Sequence, residues 1–200
     1  ISGYAEIMKS GIVKPEDMPR FSEKIYNEAR RLITLVEDII KLSHLDEGKV
    51  ELERQDVDLY ELTREIISRL SPQASAKKVH MELTGESVIY NGVRQILDEM
   101  VYNICENAIK YNRDSGMVRV TLDADHKYFY VKVADTGIGI PDDLHDKVFT
   151  RFEKLNEFSQ GTGLGLTISR AIVEAAGGEV GFTSKLGVGS TFWAWLPLRP

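Results

Sequence analysis

Between residues 93 and 111, Glu99, Asn103, Asn107 and Lys110 follow one another at spacings of four, four and three. On a helix this stacks them along one face. Asparagine is a poor helix former because its amide competes with the backbone for hydrogen bonds, so two in register serve either a solvated face or a polar ligand. Further on, Asp135-Thr136-Gly137-Ile138-Gly139-Ile140 sets a carboxylate at the end of an apolar run, before glycines that let backbone approach a flat ligand. Such a carboxylate can accept a hydrogen bond from the amino group of a base. Gly161-Thr162-Gly163-Leu164-Gly165-Leu166 then opens a helical stretch, where free amides and the positive helix end could meet phosphate. Each motif alone has a plainer reading, as a polar surface or a turn into a helix.

The elements that must position these residues follow from hydrophobic periodicity. Val93, Ile96, Leu97, Met100, Val101, Ile104 and Ala108 predict an amphipathic helix running to about Tyr111. Met117–Leu122 and Tyr128–Ala134 alternate as a β-hairpin, Leu164–Ala176 reads as a helix, and Glu179–Leu198 as a closing hairpin around Gly187–Ser190. Upstream, a short strand is expected near Lys49–Glu53, a helix over Leu59–Leu70 and a strand over Val79–Leu83. Phe21, Ile25, Leu32, Leu35, Ile39 and Leu42 follow heptad spacing from Met18, a long helix with a partner. Ile1, Tyr4, Ala5 and Met8 share a face ended by Gly11, the tail of an earlier helix in an antiparallel hairpin. The glycine-rich loop thus sits late in the chain, after an antiparallel hairpin. A dinucleotide fold would place it early, in a βαβ unit, and the pattern GxxxxGK[ST] is absent.

Composition narrows the classes further. The chain has 200 residues, of which 42% are hydrophobic, enough for one sizeable domain and a smaller helical element. No stretch approaches the roughly 18 apolar residues of a membrane span, and the expected setting is cytoplasmic. The single cysteine, Cys105, can form neither an internal disulfide nor a zinc site alone. A net charge of −6 argues against a surface for duplex nucleic acid.

Taken in order, these motifs resemble the ATP-binding catalytic domain of sensor histidine kinases, in the superfamily that includes gyrase, the Hsp90 chaperones and MutL. Asn103 to Tyr111 is similar to the N box, Asp135 to Gly139 to the first G box, Phe149-Thr150-Arg151-Phe152 to the F box, Gly161 to Leu166 to the second G box, and Gly187 to Thr191 to the last glycine motif. The resemblance implies an α+β fold: a two-layer α/β sandwich, with a mixed sheet packed on helices and an ATP lid, preceded by an α-helical hairpin. It divides the chain into a truncated dimerisation and phosphotransfer hairpin, 1–50, and a catalytic domain, 51–200.

The implied cofactors are ATP and Mg²⁺, with Asn107 as metal ligand and Asn103 helping to hold the metal shell. Lys110 and Tyr111 would contact phosphate, Lys110 offsetting charge during transfer. Asp135, helped by Thr191, would read the adenine amino group beside Gly137, Gly139 and Ile140. Gly161, Thr162, Gly163, Leu164, Gly165 and Leu166 would supply backbone donors. Residues 141–160 would form the lid, from which Arg151 and Lys154 reach phosphate or the phosphoacceptor helix, or stay solvated; Phe149 and Phe152 serve equally well as core anchors. Asn103 stands where the superfamily's ATPases carry a glutamate base, and an amide cannot act as one. That favours phosphoryl transfer over a gyrase- or chaperone-type ATPase clamp; an ATP-binding pseudokinase module is the other alternative. The phosphoacceptor histidine would lie about nine residues before Ile1, and His44, His80, His126 and His145 lack its flanking pattern. The expected partners are a response regulator receiver domain and, in a longer membrane-anchored parent, a second copy of the chain.

Overall fold

The structure, a computed structural model, describes residues 1–46, 53–151 and 162–198. It opens on a helical hairpin, α1 (Ser2–Lys9) and α2 (Met18–Asp46), with a 3₁₀ turn at Pro15–Asp17 between them. Tyr4 meets Phe21 edge-on at 5.7 Å, closing the hairpin. Leu35 of α2 packs against the main core, whereas Leu32, Ile33, Val36, Ile39 and Ile40 remain exposed. Among the described residues no helix is long and apolar enough to cross a membrane.

Next come β1 (Gln55–Asp58), α3 (Leu59–Ala76), β2 (His80–Thr84), β3 (Ile89–Gly92) and α4 (Arg94–Lys110). They are followed by β4 (Met117–Ala124), β5 (Tyr128–Asp135), α5 (Gly165–Ala175), β6 (Glu179–Lys185) and β7 (Gly189–Pro197). The main sheet has the order β2-β4-β5-β7-β6 and is mixed: β2 pairs parallel with β4, and the other neighbours are antiparallel. Strands β4, β5 and β7 alternate as the pleat demands, burying Val118, Val120 and Leu122, then Phe129, Val131 and Val133, then Phe192, Ala194 and Leu196. Ile66 and Leu70 of α3, Met100 and Ile104 of α4, and Ile168 and Val173 of α5 are buried in the same core. The result is the expected α+β arrangement, a mixed sheet covered by helices.

Three elements differ from expectation. The expected strand at 49–53 lies, up to residue 52, outside the described residues, and β1 begins only at Gln55. Strand β3 went unread; it pairs antiparallel with β1 in a separate two-stranded sheet. Helix α3 continues to Ala76 through Pro72, although proline removes a backbone donor. Buried Leu70 and Ala74 hold both sides of that break against the core, so packing outweighs the local penalty.

Candidate functional site

The roll of α4 is set by its apolar side, where Leu97, Met100, Val101, Ile104, Cys105 and Ala108 are buried. That leaves Glu99, Asn103, Asn107 and Lys110 half-buried along the other flank. They line a groove of about 1460 Å³, together with Tyr111, Thr162, Gly163, Gly165 and Leu166, and with Asp38 of α2 on the facing wall. The polar stripe therefore lines one wall of this groove. Asn103 Nδ2 donates to the Gly165 carbonyl at 3.2 Å, tying α4 to the first turn of α5. The Asn107 side chain lines the groove and makes no hydrogen bond among the described residues. The Lys110 ammonium lies 5.1 Å from the Tyr111 ring centroid. Lys77 Nζ donates to the Lys110 carbonyl at 2.5 Å and the Ile109 carbonyl at 3.4 Å, holding the C-terminal end of α4 where a cation suits the helix dipole.

Across the groove, α5 starts without a side-chain cap at Leu164. Among the described residues no side chain accepts from its first-turn amides, which carry the positive end of the helix dipole, an arrangement suited to an anion. Thr162 shapes the approach: its hydroxyl accepts from Leu164 N at 3.3 Å and donates to Asp38 Oδ2 at 2.8 Å. A divalent cation is compatible with this donor set on one condition. The described residues contain no group of three His, Cys, Asp or Glu that could hold a metal. A Mg²⁺ ion would take the Asn107 oxygen and draw its other ligands from phosphates and water, as that ion commonly does.

Asp135, Gly137, Gly139, Ile140 and Thr191 are not in the groove lining; they form a second cluster at the ends of β5 and β7. Tyr111 links the two, because its carbonyl accepts from Ile138 N at 3.0 Å. Asp135 Oδ1 accepts from Gly137 N at 2.8 Å and Ser190 N at 3.2 Å. Oδ2 accepts from no described residue. Burial pushes the carboxyl above the usual carboxylate range, and the two backbone donors offset part of that shift. Gly139 has φ +68° and Gly189 φ +136°, and a Cβ at either would lie 2.1 Å from a backbone oxygen, that of Lys185 or of Asp135. Both turns are thus closed to other residues. Thr191 pairs with Ala134, and its neighbour Ser190 supplies the amide that reaches Asp135.

The remaining expected residues divide clearly. Lys154, Gly161 and Phe152 lie outside the described residues. The first part of the expected lid is not loop but a 3₁₀ helix, Asp142–Lys147. Phe149 anchors the chain there, packing edge-on to Phe182 at 5.9 Å and Phe192 at 6.3 Å, while Arg151 is exposed. His80 and His126 are exposed, and His145 is half-buried with Nε2 3.2 Å from the Ile140 carbonyl. Cys105 is fully buried and its thiol is pushed up to about 12, which leaves it un-ionised. Asp38, Lys77 and Ser190 went unread. Asp38 looks in sequence like any charge on a solvated helix, and Lys77 reaches a helix end 33 residues away.

The profile of a family described as histidine kinase-, DNA gyrase B- and HSP90-like ATPase matches residues 92–200. The sensor histidine kinase AruS of Pseudomonas aeruginosa is 30% identical over 96% of this chain, which spans 20% of that protein's length. The histidine kinase AdeS of Acinetobacter baumannii shares the fold with a TM-score of 0.85, covering 100% of this chain and 93% of its own at 22% identity. Histidine kinase ThkA, solved in complex with the response regulator TrrA, gives a TM-score of 0.79 at 25% identity, covering 100% of this chain and 57% of its own.

Proposed function

Because the chain belongs to the histidine kinase-, DNA gyrase B- and HSP90-like ATPase family, we propose that it is the catalytic region of a sensor histidine kinase. It binds Mg-ATP and passes the γ-phosphoryl group to a histidine on a dimerisation helix. The observation that carries this reading is the groove itself: the side-chain-uncapped start of α5 faces Asn103, Asn107 and Lys110 across one cavity. The triphosphate would lie there, with the α5 amides donating to its oxygens and Lys110 stabilising the charge that develops on the transferring group. Asn107 would hold the Mg²⁺, which would supply neutralisation of phosphate charge. The adenine amino group donates to Asp135 Oδ2, the oxygen left open by the Gly137 and Ser190 amides. Asn103 is bonded to Gly165 and cannot take a proton from water. This favours a protein acceptor over hydrolysis.

The partners follow from the same reading. ThkA was solved with a response regulator, and a receiver aspartate is the proposed next acceptor here. The exposed Leu32, Ile33, Val36, Ile39 and Ile40 of α2 form an apolar face suited to a second copy of the hairpin in the longer parent. The catalytic region would work on the cytoplasmic side of a membrane-anchored protein. Incubation with γ-labelled ATP, Mg²⁺ and a separate hairpin polypeptide carrying a histidine upstream of Ile1 tests the reaction. Acid-labile label is expected on the added hairpin and not on this chain; steady phosphate release without phosphoprotein would contradict the proposal.

A further inference from the structure

Ser184, on β6 and outside every glycine motif, sits at the meeting point of the two turns that frame Asp135. Its hydroxyl accepts from Ile140 N at 2.8 Å, lies 2.8 Å from the Ser190 hydroxyl, and donates to the Gly189 carbonyl at 3.2 Å. These contacts fill a serine's capacity of one donated proton and two accepting lone pairs, provided the Ser190 hydroxyl donates to Ser184. The Ser190 backbone N–H then goes to Asp135 Oδ1, beside that of Gly137. One side chain therefore locks the turn that leaves Asp135, through Ile140, to the hairpin that enters β7, through Gly189 and Ser190. Ile140 and Ser190 are only 5% and 7% exposed, so neither freed group readily finds water.

We infer that Ser184 is a positioning residue for base selection: it holds the Gly137 and Ser190 amides on Asp135 Oδ1 so that Oδ2 points at a purine amino group. Ser184 hydrogen-bonds to Ile140, Gly189 and Ser190 and not to Asp135 itself, and the inference rests on the ATP-binding reading above. An adenine amino group donates to Oδ2, whereas inosine triphosphate presents a carbonyl oxygen that a carboxylate repels. Loosening the two turns lets the carboxylate swing, which weakens the good pair more than the bad one.

The experiment compares Mg-ATP and Mg-inosine triphosphate binding by calorimetry in wild type, Ser184→Ala and Ser184→Thr. Wild type is expected to prefer ATP. Ser184→Ala is expected to lose about tenfold in ATP affinity, the equivalent of one buried hydrogen bond, with little change for inosine triphosphate; Ser184→Thr is expected to recover the preference by restoring the hydroxyl. A purely structural role would lower both affinities equally and leave their ratio intact, which would overturn the inference. Should Ser184→Ala fail to fold, Ser190→Ala removes the other hydroxyl of the pair, and an unchanged ratio there overturns it equally. Absence of ATP binding in wild type would instead count against the nucleotide reading itself.

Discussion

A carboxylate half inside a protein is costly unless something donates to it, and among the described residues Asp135 is supplied on one oxygen only. Its raised pKa has a definite sign in linkage. The folded state holds the proton to higher pH than the unfolded chain, so Asp135 contributes stability when protonated and loses it as pH rises through the folded value. Wild type should therefore lose stability relative to Asp135→Asn on raising the pH just above the ordinary carboxylate range, measured by denaturant unfolding followed on Trp193 and Trp195. On the proposed reading nucleotide binding uses the ionised form, and it should weaken as pH falls through the same window. At neutral pH, Asp135→Ala should lower ATP affinity by about tenfold or more, the range for a hydrogen bond to a charged group, with a smaller effect on inosine triphosphate. Cys105 makes the opposite prediction: with its thiol pushed up to about 12 and fully buried, it should react with a thiol reagent only as fast as the protein unfolds. Type and spacing single out Asn103, Asn107 and Asp135 in the sequence, and the structure places the first two in the groove and the third at the end of β5. Ser190 was not legible there, since its contribution is a backbone amide and any residue has one.

At the scale of elements, Asp58 shows how a local rule holds a helix that positions the site. Its side chain accepts from the Tyr60 and Glu61 amides at the start of α3 and from the Ser87 hydroxyl at 2.7 Å. The Ser87 bond, ahead of the two amides, keeps its carboxyl below the usual range. Asp58→Ala should cost about 1 kcal/mol of unfolding free energy, a typical N-cap value, read from the denaturation midpoint at unchanged slope. Long periodic segments such as α4, β4 and β5 were readable because one face of each is buried at a fixed period. Strands β1 and β3, at 4 residues each, are too short for a pattern to emerge. Pro72 misled for a different reason: the forces that carry α3 past it come from the core, not from neighbours in sequence.

At the scale of the molecule, the hairpin and the sheet-bearing part meet where α2 crosses α5, and Asp38 to Thr162 is a polar bond across that contact. No sequence pattern links residues 124 positions apart. Asp38→Ala should speed amide exchange at the start of α5 several-fold, as expected for a lost hydrogen bond of about 1 kcal/mol, while leaving exchange in β4 and β5 unchanged. On the proposed reading, the groove between α4 and α5 is the nucleotide site, with Asn107 and the first turn of α5 holding one Mg-bound triphosphate between them. Calorimetric titration of ATP into wild type and Asn107→Ala, each with Mg²⁺ and with EDTA, tests it most directly. One saturable site is predicted, weakened by about tenfold by chelation or by the substitution, with no further loss when the two are combined, because both remove the same contact. Binding indifferent to both changes, or losses that simply add, would contradict it.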